Sequence, residues 1–379
     1  MHICLISHEF PKPGVPHGGI GTFLKFYSQL LVSKGHRVSV IGVIATAKRS
    51  VQDVNGVHII EAAFKPKKGL TWIIKARILN SELEQLHKQH PIDILEGQER
   101  AFALVKKIPA IKHVVRLHGG HHFFAEGENR KVDTWKGFLE KRSFAKADAF
   151  IAVSDYVKSH TAKFLSYHNK PITTINYPID FSQFYKADAD KVKPNTLVFA
   201  GTVCEKKGIR QLMMALPLIA EKFPEISLDV YGRDWLFPNR SSYIEWLKKQ
   251  FSSDELKRVR FHGAIAHKEL PKAYEAAEIC VFPSHMETQG LVAPEAMAMQ
   301  KPVIFTTLGP GPETIEPGVT GWLCNPLDPK DIAAKVITAL ESRAQHQKIG
   351  QNARTFALNK FDAERIVEEN LKFYSSLPG

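Results

Sequence analysis

Two carboxylates separated by seven residues are the strongest chemical signal in the chain. Glu287 follows the apolar run 279–282, and Glu295 comes after Gly290 and Pro294. The run predicts a buried strand, and Pro294 suits the first position of the next helix. Glu287 would then lie at the carboxyl end of a strand, where open α/β sheets bind ligands. Glu295 has two explanations: it could contact a ligand, or it could be there because the helix dipole favours an acid in the first turn.

The rest of the chain alternates strands and helices in a way that can position such loops. Residues 3–6 predict a strand, 22–32 a helix and 37–43 a second strand. This β-α-β opening predicts a parallel, doubly wound sheet. The alternation returns after residue 196, and 379 residues suit two domains better than one.

A polar stretch between the two halves predicts the interdomain linker. Residues 184–195 contain few apolar side chains. We therefore predict domains at 1–185 and 195–360, with a final amphipathic segment at 361–379. The linker contains Asp188-Ala189-Asp190, which looks like a metal-binding Asp-x-Asp motif, but its place in a linker argues against that interpretation.

Glycine and histidine motifs in the first half are less specific. Gly18 and Gly19 precede the first helix, where glycine lets backbone N–H groups approach phosphate, although they could simply shape a turn. His118 ends a predicted strand, but a lone histidine is more often structural. His121 and His122 form a pair without a clear third metal ligand.

The string at 283–298 resembles the Glu-x7-Glu signature of the retaining glycosyltransferases of family 4. The resemblance continues through residues 300–304, 309–313 and 318–322, and in the N-terminal half it is limited to scattered motifs. It implies the GT-B fold: two Rossmann-like α/β domains that face each other across a cleft. The N-terminal domain would bind the acceptor and the second domain the nucleotide sugar, while the last helix crosses back to the N-terminal domain.

The resemblance also assigns roles to individual residues. His118 and Glu287 would be catalytic in the sense of contacting the transferred sugar, and Glu295 would accept the ribose hydroxyls. The residues expected to bind the donor are Gly18, Gly19, Thr202, Lys207, Ile265, Gln289, Gly290, Leu291, Val292 and Glu295. Thr202 departs from the family pattern, which has an arginine there, and a hydroxyl brings no charge to a phosphate.

The implied activity is transfer of a sugar from a nucleotide diphosphate sugar, with UDP- and GDP-sugars as the leading donors. The acceptor would be a saccharide, lipid-linked or other cell-envelope molecule, as in polysaccharide or lipopolysaccharide biosynthesis. The family implies no metal and no cofactor. The alternatives are a non-catalytic protein of the same fold that binds polyanions or nucleotide sugars, and a GT-B epimerase.

Positive charge is concentrated in the first half. The net charge is +12, and residues 1–190 hold 27 Lys and Arg against 17 Asp and Glu. Such an excess predicts an anionic partner, with a solvated basic face as the alternative. We favour a lipid or lipid-linked partner over nucleic acid. Residues 64–80 read as a basic helix that could lie on the inner membrane surface or pack on the sheet; its surface residues are Lys65, Lys67, Lys68, Trp72, Lys75 and Arg77.

Cysteine usage and hydropathy predict the compartment. The four cysteines are far apart and show no metal-ligand spacing, so we expect buried free thiols in a reducing compartment. The first strand leaves no room for a signal peptide, and no apolar run could span a bilayer. The sequence therefore predicts a cytoplasmic protein, peripheral on the membrane if the basic helix binds lipid.

Overall fold

The computed structural model describes residues 1–7, 9–10 and 19–378. The chain forms two compact units. The N-terminal unit comprises Met1–Ile179 with Ala363–Gly379, and the C-terminal unit comprises Asp180–Asp362.

The described elements follow one another in regular α/β alternation. Those before residue 180 are β1 His2–Ile6, α1 Gly19–Ser33, β2 Arg37–Ile44, β3 Ser50–Val54, β4 Val57–Ala63, α2 Thr71–Gln89, β5 Ile94–Gly97, β6 Lys112–Leu117, α3 His121–Gly127, α4 Thr134–Lys146, β7 Ala149–Ala152, α5 Asp155–Ala162 and β8 Ile172–Thr174. Those after it are β9 Thr196–Ala200, α6 Ile209–Ala220, β10 Ser227–Tyr231, α7 Tyr243–Lys248, α8 Ser253–Leu256, β11 Val259–Gly263, α9 Leu270–Ala276, β12 Ile279–Phe282, α10 Val292–Ala298, β13 Val303–Thr306, α11 Gly311–Thr314, β14 Trp322–Cys324, α12 Pro329–Glu341, α13 His346–Lys360 and α14 Ala363–Ser375.

The sheet of the N-terminal unit has the order β3-β4-β2-β1-β5-β6-β7-β8. Its pairings are parallel except for the β3–β4 hairpin. Strand β1 is central, since Ile3 lies opposite Val38 on one side and Ile94 on the other. The chain leaves β1 toward β2 and later returns to its other side at β5. The carboxyl ends of β1 and β5 therefore form a switch point of the kind at which such sheets bind ligands.

The sheet of the C-terminal unit has the order β11-β10-β9-β12-β13-β14 and is parallel throughout. Its strands are apolar along their length, as strands covered by helices on both faces must be. Leu197, Val281 and Ile304 belong to the buried core cluster beneath the helices. The switch point lies between β9 and β12, so the loops after these two strands meet at one edge.

Helix α14 packs on the N-terminal unit through a buried polar network, as the family resemblance implies for the last helix. Arg116 donates from Nε to Glu96 Oε1 at 2.7 Å and from Nη2 to Asn370 Oδ1 at 2.6 Å. The hydroxyls of Tyr27 and Tyr374 are 2.9 Å apart. All five residues are at most 3% exposed. Because a buried charge must be paired and hydrogen-bonded, this network anchors α14 specifically.

Only part of the basic stretch at 64–80 is helical. Helix α2 begins at Thr71, so Lys65, Lys67 and Lys68 lie in the preceding loop. Pro66 disfavours a helical residue before it, and Gly69 has φ +75°, a left-handed conformation that interrupts a helix. The predicted basic helix is therefore wrong at its N-terminal end.

The predicted linker packs against the C-terminal unit. Ala187 N donates to Met299 O at 3.2 Å, and Lys193 N donates to Ala276 O at 3.0 Å. The carboxylate of Asp188 accepts the backbone N–H of Asp190, so Asp188 caps a short turn. The Asp-x-Asp triplet thus has a structural explanation.

All four cysteines are buried free thiols, as predicted. Among the helices of the described residues, none is both long and apolar enough to cross a membrane.

Candidate functional site

The loops after β9 and β12 are tied together at the carboxyl edge of the C-terminal sheet. Gly208 has φ +71°, and a Cβ there would lie 1.8 Å from the carbonyl oxygen of Pro283. His285 N donates to the carbonyl oxygen of Lys206 at 2.9 Å. Only glycine permits this backbone approach. The contact fixes how the lysine loop meets the loop that carries Glu287.

Lys207 and Glu287, both predicted site residues, form an ion pair. The Lys207 Nζ donates to Glu287 Oε1 at 2.5 Å, and the two side chains are 24% and 8% exposed. A short charge-assisted bond in a partly desolvated place is strong. An incoming anion could replace Glu287 as the partner of the Lys207 ammonium group. The Glu287 carboxylate would then be free to bind hydroxyl groups.

The segment after Glu287 brings its backbone close to the site. Gly290 has φ +77°, and a Cβ there would lie 2.6 Å from Cζ of Phe305. Within the described residues, the N–H groups of Gly290 and Leu291 have no backbone acceptor. Helix α10 begins at Val292, so the expectation that Pro294 opens it is wrong. Pro294 lies in the first turn, where N–H groups have no intrahelical acceptor and proline is tolerated. Gln289 is 1% exposed.

Glu295 is held by two residues of the neighbouring segment. His267 Nε2 lies 3.0 Å from Oε1, and the Tyr274 hydroxyl donates to Oε2 at 3.5 Å. The hydrogen bond to this carboxylate raises the pKa of His267, against the effect of burial. Each carboxylate oxygen retains a further lone pair for a ligand hydroxyl. His267 was missed, because it lies 28 residues from Glu295 in the chain and only the fold brings them together.

A guanidinium group lies beside Thr202, where the family pattern has an arginine. Arg233 Nε donates to Thr202 Oγ1 at 3.4 Å, and Val203 N donates to Arg233 O at 2.9 Å. The loop after β10 therefore brings a guanidinium group to the place where the family pattern has an arginine in the loop after β9. The sequence did not reveal this, since Arg233 carries no motif of its own.

The remaining donor candidate of the C-terminal unit lies in the loop after β11. Ile265 is 37% exposed, and Gly232 N donates to Gly263 O at 2.8 Å. This bond aligns the loops that follow β10 and β11.

His118 lies directly after β6 in the N-terminal unit and is 7% exposed. Its Nδ1 shares a short hydrogen bond with the Tyr177 hydroxyl, and the two rings are stacked. Burial lowers the pKa of His118 to about 3, and the Arg116 charge adds to this effect. The imidazole is therefore neutral at physiological pH, and Nε2 is the nitrogen left to meet a ligand. Gly19 is the first residue of α1, and Gly18 lies outside the described residues.

His121 and His122 have structural roles at the start of α3. Glu140 accepts the backbone N–H groups of both residues and lies 2.5 Å from His122 Nδ1. The His121 Nε2 accepts the backbone N–H of Asp133 at 2.9 Å. Across the described ranges, no group of three His, Cys, Asp or Glu side chains is placed to hold a metal ion.

Two family profiles cover most of the chain. The profile described as Glycosyltransferase Family 4 matches residues 17–183, and that described as Glycosyl transferases group 1 matches residues 181–356. The boundary between the two matches is close to the boundary between the two structural units.

Known proteins resemble the chain over nearly its full length. Glycogen synthase of Mycobacterium tuberculosis is 25% identical, with 99% of this chain and 94% of the relative covered. Sucrose-phosphate synthase from Thermosynechococcus elongatus has a TM-score of 0.84 at 23% identity, with 99% and 98% covered. Anabaena HepE, solved in complex with UDP and glucose, has a TM-score of 0.78 at 20% identity, with both chains fully covered.

These likenesses confirm the α/β fold class and the GT-B prediction. The roles of individual site residues stay predictions. From its two profile matches, which together span residues 17–356, the chain belongs to glycosyltransferase family 4.

Proposed function

We propose that the protein transfers a hexosyl or related group from a nucleotide diphosphate sugar to a saccharide or lipid-linked acceptor, with retention of configuration and without a metal ion. The observation that carries this proposal is the Lys207–Glu287 pair. The pair sets one cation beside one acid at the switch point of the C-terminal sheet, and this supports a sugar diphosphate as the ligand.

The nucleotide part of the donor would bind the loops at the carboxyl edge of the same sheet. Lys207 and Arg233 supply positive charge to the diphosphate, and the N–H groups of Gly290 and Leu291 add hydrogen bonds. Glu295, oriented by His267, accepts the ribose hydroxyls. HepE, which shares the fold, holds UDP and glucose in its solved structure, and this supports a nucleotide sugar as the donor, with UDP- and GDP-sugars the first to test.

Charge stabilisation explains how transfer proceeds without a metal. As the glycosidic bond breaks, negative charge grows on the departing diphosphate, and fixed cations stabilise it in the transition state. Lys207 and Arg233 are such cations in the C-terminal unit. Glu287, released from Lys207 when the diphosphate arrives, holds hydroxyls of the sugar while it gains oxocarbenium character.

His118 acts on the transferred sugar as a neutral hydrogen-bonding group. Its lowered pKa keeps it uncharged, so it does not repel a sugar that is becoming positive. Its Nδ1 is engaged by Tyr177, which orients the ring. The proposed role is therefore positioning of a sugar oxygen through Nε2.

An exposed aromatic surface in the N-terminal unit supports a membrane-borne acceptor. Trp72 and Trp135 lie edge to face with ring centroids 5.4 Å apart, and Trp135 stacks on Phe138 at 5.7 Å. The three side chains are 43%, 43% and 50% exposed. The cations near them in sequence are Lys65, Lys67, Lys68, Lys75, Arg77, Lys131 and Lys136. Exposed aromatic and basic groups together suit the interface of an anionic bilayer, so we propose a cytoplasmic protein that binds the inner membrane face.

The test of the transferase activity is nucleotide release. The full chain is incubated with UDP- and GDP-sugars in the presence of a metal chelator, with Glu287→Gln and Lys207→Met as the variants. Release from one donor that is lost in both variants supports the proposal. Binding of nucleotides without any release, with or without candidate acceptors, would instead indicate a non-catalytic binding protein.

The test of the membrane surface is vesicle sedimentation at low salt. The double variant Trp72→Ser/Trp135→Ser should lose binding to anionic vesicles, while Trp246→Ser, an exposed tryptophan of the C-terminal unit, should bind as the wild type does. Equal binding by all three proteins would contradict the proposal.

A further inference from the structure

A large cavity of the N-terminal unit contains residues that the donor site does not use. It has a volume of about 760 Å³, which lies in the range of ligand-binding cavities. Residues at the carboxyl ends of β1, β2, β5 and β6 form its floor, and α2 and α4 supply its walls. These four strands are neighbours in the sheet.

Two polar side chains on the floor have unsatisfied buried atoms. Glu99 is 5% exposed, and within the described residues its Oε1 has no hydrogen-bond partner. Gln98 Nε2 is likewise buried and unpaired there. Both residues line the cavity. Buried polar atoms are nearly always paired in native proteins, so these two point to a ligand with polar groups.

The floor acid is suited to hydroxyl groups. Burial raises the pKa of Glu99 to about 8, and the nearby Glu140 carboxylate adds to this, while backbone N–H groups oppose it. At neutral pH the carboxyl group is mostly protonated, so it can both donate and accept a hydrogen bond. A sugar or polyol hydroxyl has the same two capacities.

Cations line another part of the cavity. Lys75, Arg100, Arg130 and Lys136 are among its lining residues. Arg130 pairs with Glu128 at 2.6 Å, whereas within the described chain neither Arg100 nor Lys136 has a carboxylate within 4 Å. Burial lowers the pKa of His121, the charges of Arg130, Lys136 and Arg100 lower it further, and the Glu140 carboxylate opposes them. These three cations therefore act electrostatically on one side chain of the cavity lining.

A second acid of the cavity lining, Glu140, is already engaged. Glu140 is fully buried and accepts hydrogen bonds from the backbone of His121 and His122 at the start of α3. Glu128 and Glu140 can balance only two of the four cations, so the cavity keeps unneutralised positive charge. Such a place favours an anion that can accept several hydrogen bonds, as phosphate does.

The walls include aromatic rings. Trp72, Phe64 and Phe124 line the cavity, and the Lys75 ammonium lies 4.6 Å from the centre of the Phe64 ring. A site that combines apolar walls with a few convergent polar groups is typical of small-molecule binding.

We propose that this cavity binds a saccharide that carries a phosphate group, with a sugar hydroxyl on Glu99 and Gln98 and the phosphate among Arg100, Arg130 and Lys136. The inference rests on the proposed function, because it assigns the acceptor's chemistry. Gln98 also lines a narrow cleft that His118 borders. The saccharide is therefore held beside the histidine that acts on the transferred sugar.

The first experiment measures binding by calorimetry with the full chain and three probes: glucose 6-phosphate, glucose and inorganic phosphate. Glucose 6-phosphate should bind more tightly than either of the others, because only it offers both hydroxyls and phosphate. Equal binding of glucose and glucose 6-phosphate would overturn the proposal. So would binding of inorganic phosphate as tight as that of glucose 6-phosphate.

Variants separate the two halves of the cavity. Arg100→Gln/Lys136→Gln should weaken the binding of glucose 6-phosphate at least tenfold, since two charge-assisted hydrogen bonds to the phosphate are lost. Glu99→Leu should weaken it about tenfold, and Glu99→Gln, which keeps a donor and an acceptor, should bind within about threefold of the wild type. Lys112→Gln, outside the cavity, is the control. A thermal unfolding scan checks that each variant is folded, and unchanged binding in the folded variants would refute the assignment.

A second experiment tests whether the phosphorylated saccharide is lipid-linked or soluble. Phosphatidylcholine vesicles are prepared with and without a polyprenyl-diphosphate-linked sugar. Preferential binding to the loaded vesicles, lost in Arg100→Gln/Lys136→Gln, assigns the site to a lipid-linked saccharide, and binding of glucose 6-phosphate alone assigns it to a soluble one. Binding of neither contradicts the inference.

A separate UDP and GDP titration keeps the two proposals distinguishable. If a nucleotide stabilises the chain but no phosphorylated saccharide binds, the inference fails and the proposed function stands. If phosphorylated saccharide binds while no nucleotide does, the proposed function fails and the cavity assignment stands.

Discussion

Removing the ammonium group of Lys207 should destabilise the unliganded protein, and the size of the effect follows from the ion pair. At 2.5 Å and an effective dielectric constant of about 20, the Coulombic attraction is about 7 kcal/mol. Desolvation of both groups offsets most of it. What remains when Lys207→Met leaves the Glu287 carboxylate unpaired is about 2 kcal/mol, since Glu287 is 8% exposed and water reaches it poorly.

The assay is thermal unfolding of the ligand-free chain. For a unit of this size, 2 kcal/mol corresponds to a fall in Tm of about 4–8 °C. The double variant Lys207→Met/Glu287→Gln should recover most of that loss, because a neutral amide does not need the cation. Lys193→Met, an exposed lysine without an ion pair within the described residues, should leave Tm unchanged.

Two results would refute this reasoning. One is an unchanged Tm for Lys207→Met, which would show that the ion pair does not stabilise the unliganded chain. The other is a double variant whose loss equals the sum of the two single losses, which would show that the two side chains are not coupled.

Three further predictions come from other parts of the chain. Arg233→Ala should raise the Kd for a nucleoside diphosphate at least tenfold in calorimetry, since a hydrogen bond to a charged group is worth about 1.5–3 kcal/mol. The folded pKa of Glu99, about 8, lies above its reference of 4.5, so above pH 6 the folded state holds a proton that the unfolded state has lost. The free energy of unfolding of the wild type should therefore fall by about 2 kcal/mol between pH 6 and pH 8. Glu99→Gln should not show this fall in urea titrations. The thiols of Cys280 and Cys324, whose pKa burial raises to about 12, should react with a thiol reagent only when the chain is unfolded.

Each of these three predictions has a control variant or a result that would contradict it. Arg240→Ala, an exposed arginine of the same loop region, should leave the nucleotide Kd unchanged, and an equal loss in both variants would show non-specific electrostatics. A parallel pH dependence of wild type and Glu99→Gln would mean that Glu99 ionises normally. Rapid labelling of the native chain would show that the thiols are accessible.

The order of strands and helices could be predicted well because it depends on local sequence patterns. The apolar runs and the breaks between them predict the two parallel sheets. The last amphipathic segment was assigned to the N-terminal domain by resemblance, and Asn370 and Tyr374 confirm it through their bonds to Arg116 and its network. Boundaries were less accurate, since α2 and α10 each begin at a residue that no motif marks.

The site was predictable only where it carried a motif. Glu287 and Lys207 were found because each lies in a recognisable string, and the structure brings them together. Arg233 and His267 were missed because they act through spatial neighbours, Thr202 and Glu295, that follow different strands. Gln98 and Glu99 were missed for a related reason: nothing in their sequence context indicates burial without a partner.

Whether the chain is a metal-independent transferase is tested by measuring its thermal unfolding with a panel of nucleotides and nucleotide sugars in the presence of a chelator, followed by an assay of nucleotide release. We expect one nucleoside diphosphate and its sugars to raise the Tm, one sugar donor to be slowly consumed without metal, and Lys207→Met to abolish both effects. No stabilisation by any nucleotide would contradict this expectation, and so would donor turnover that survives the loss of Lys207.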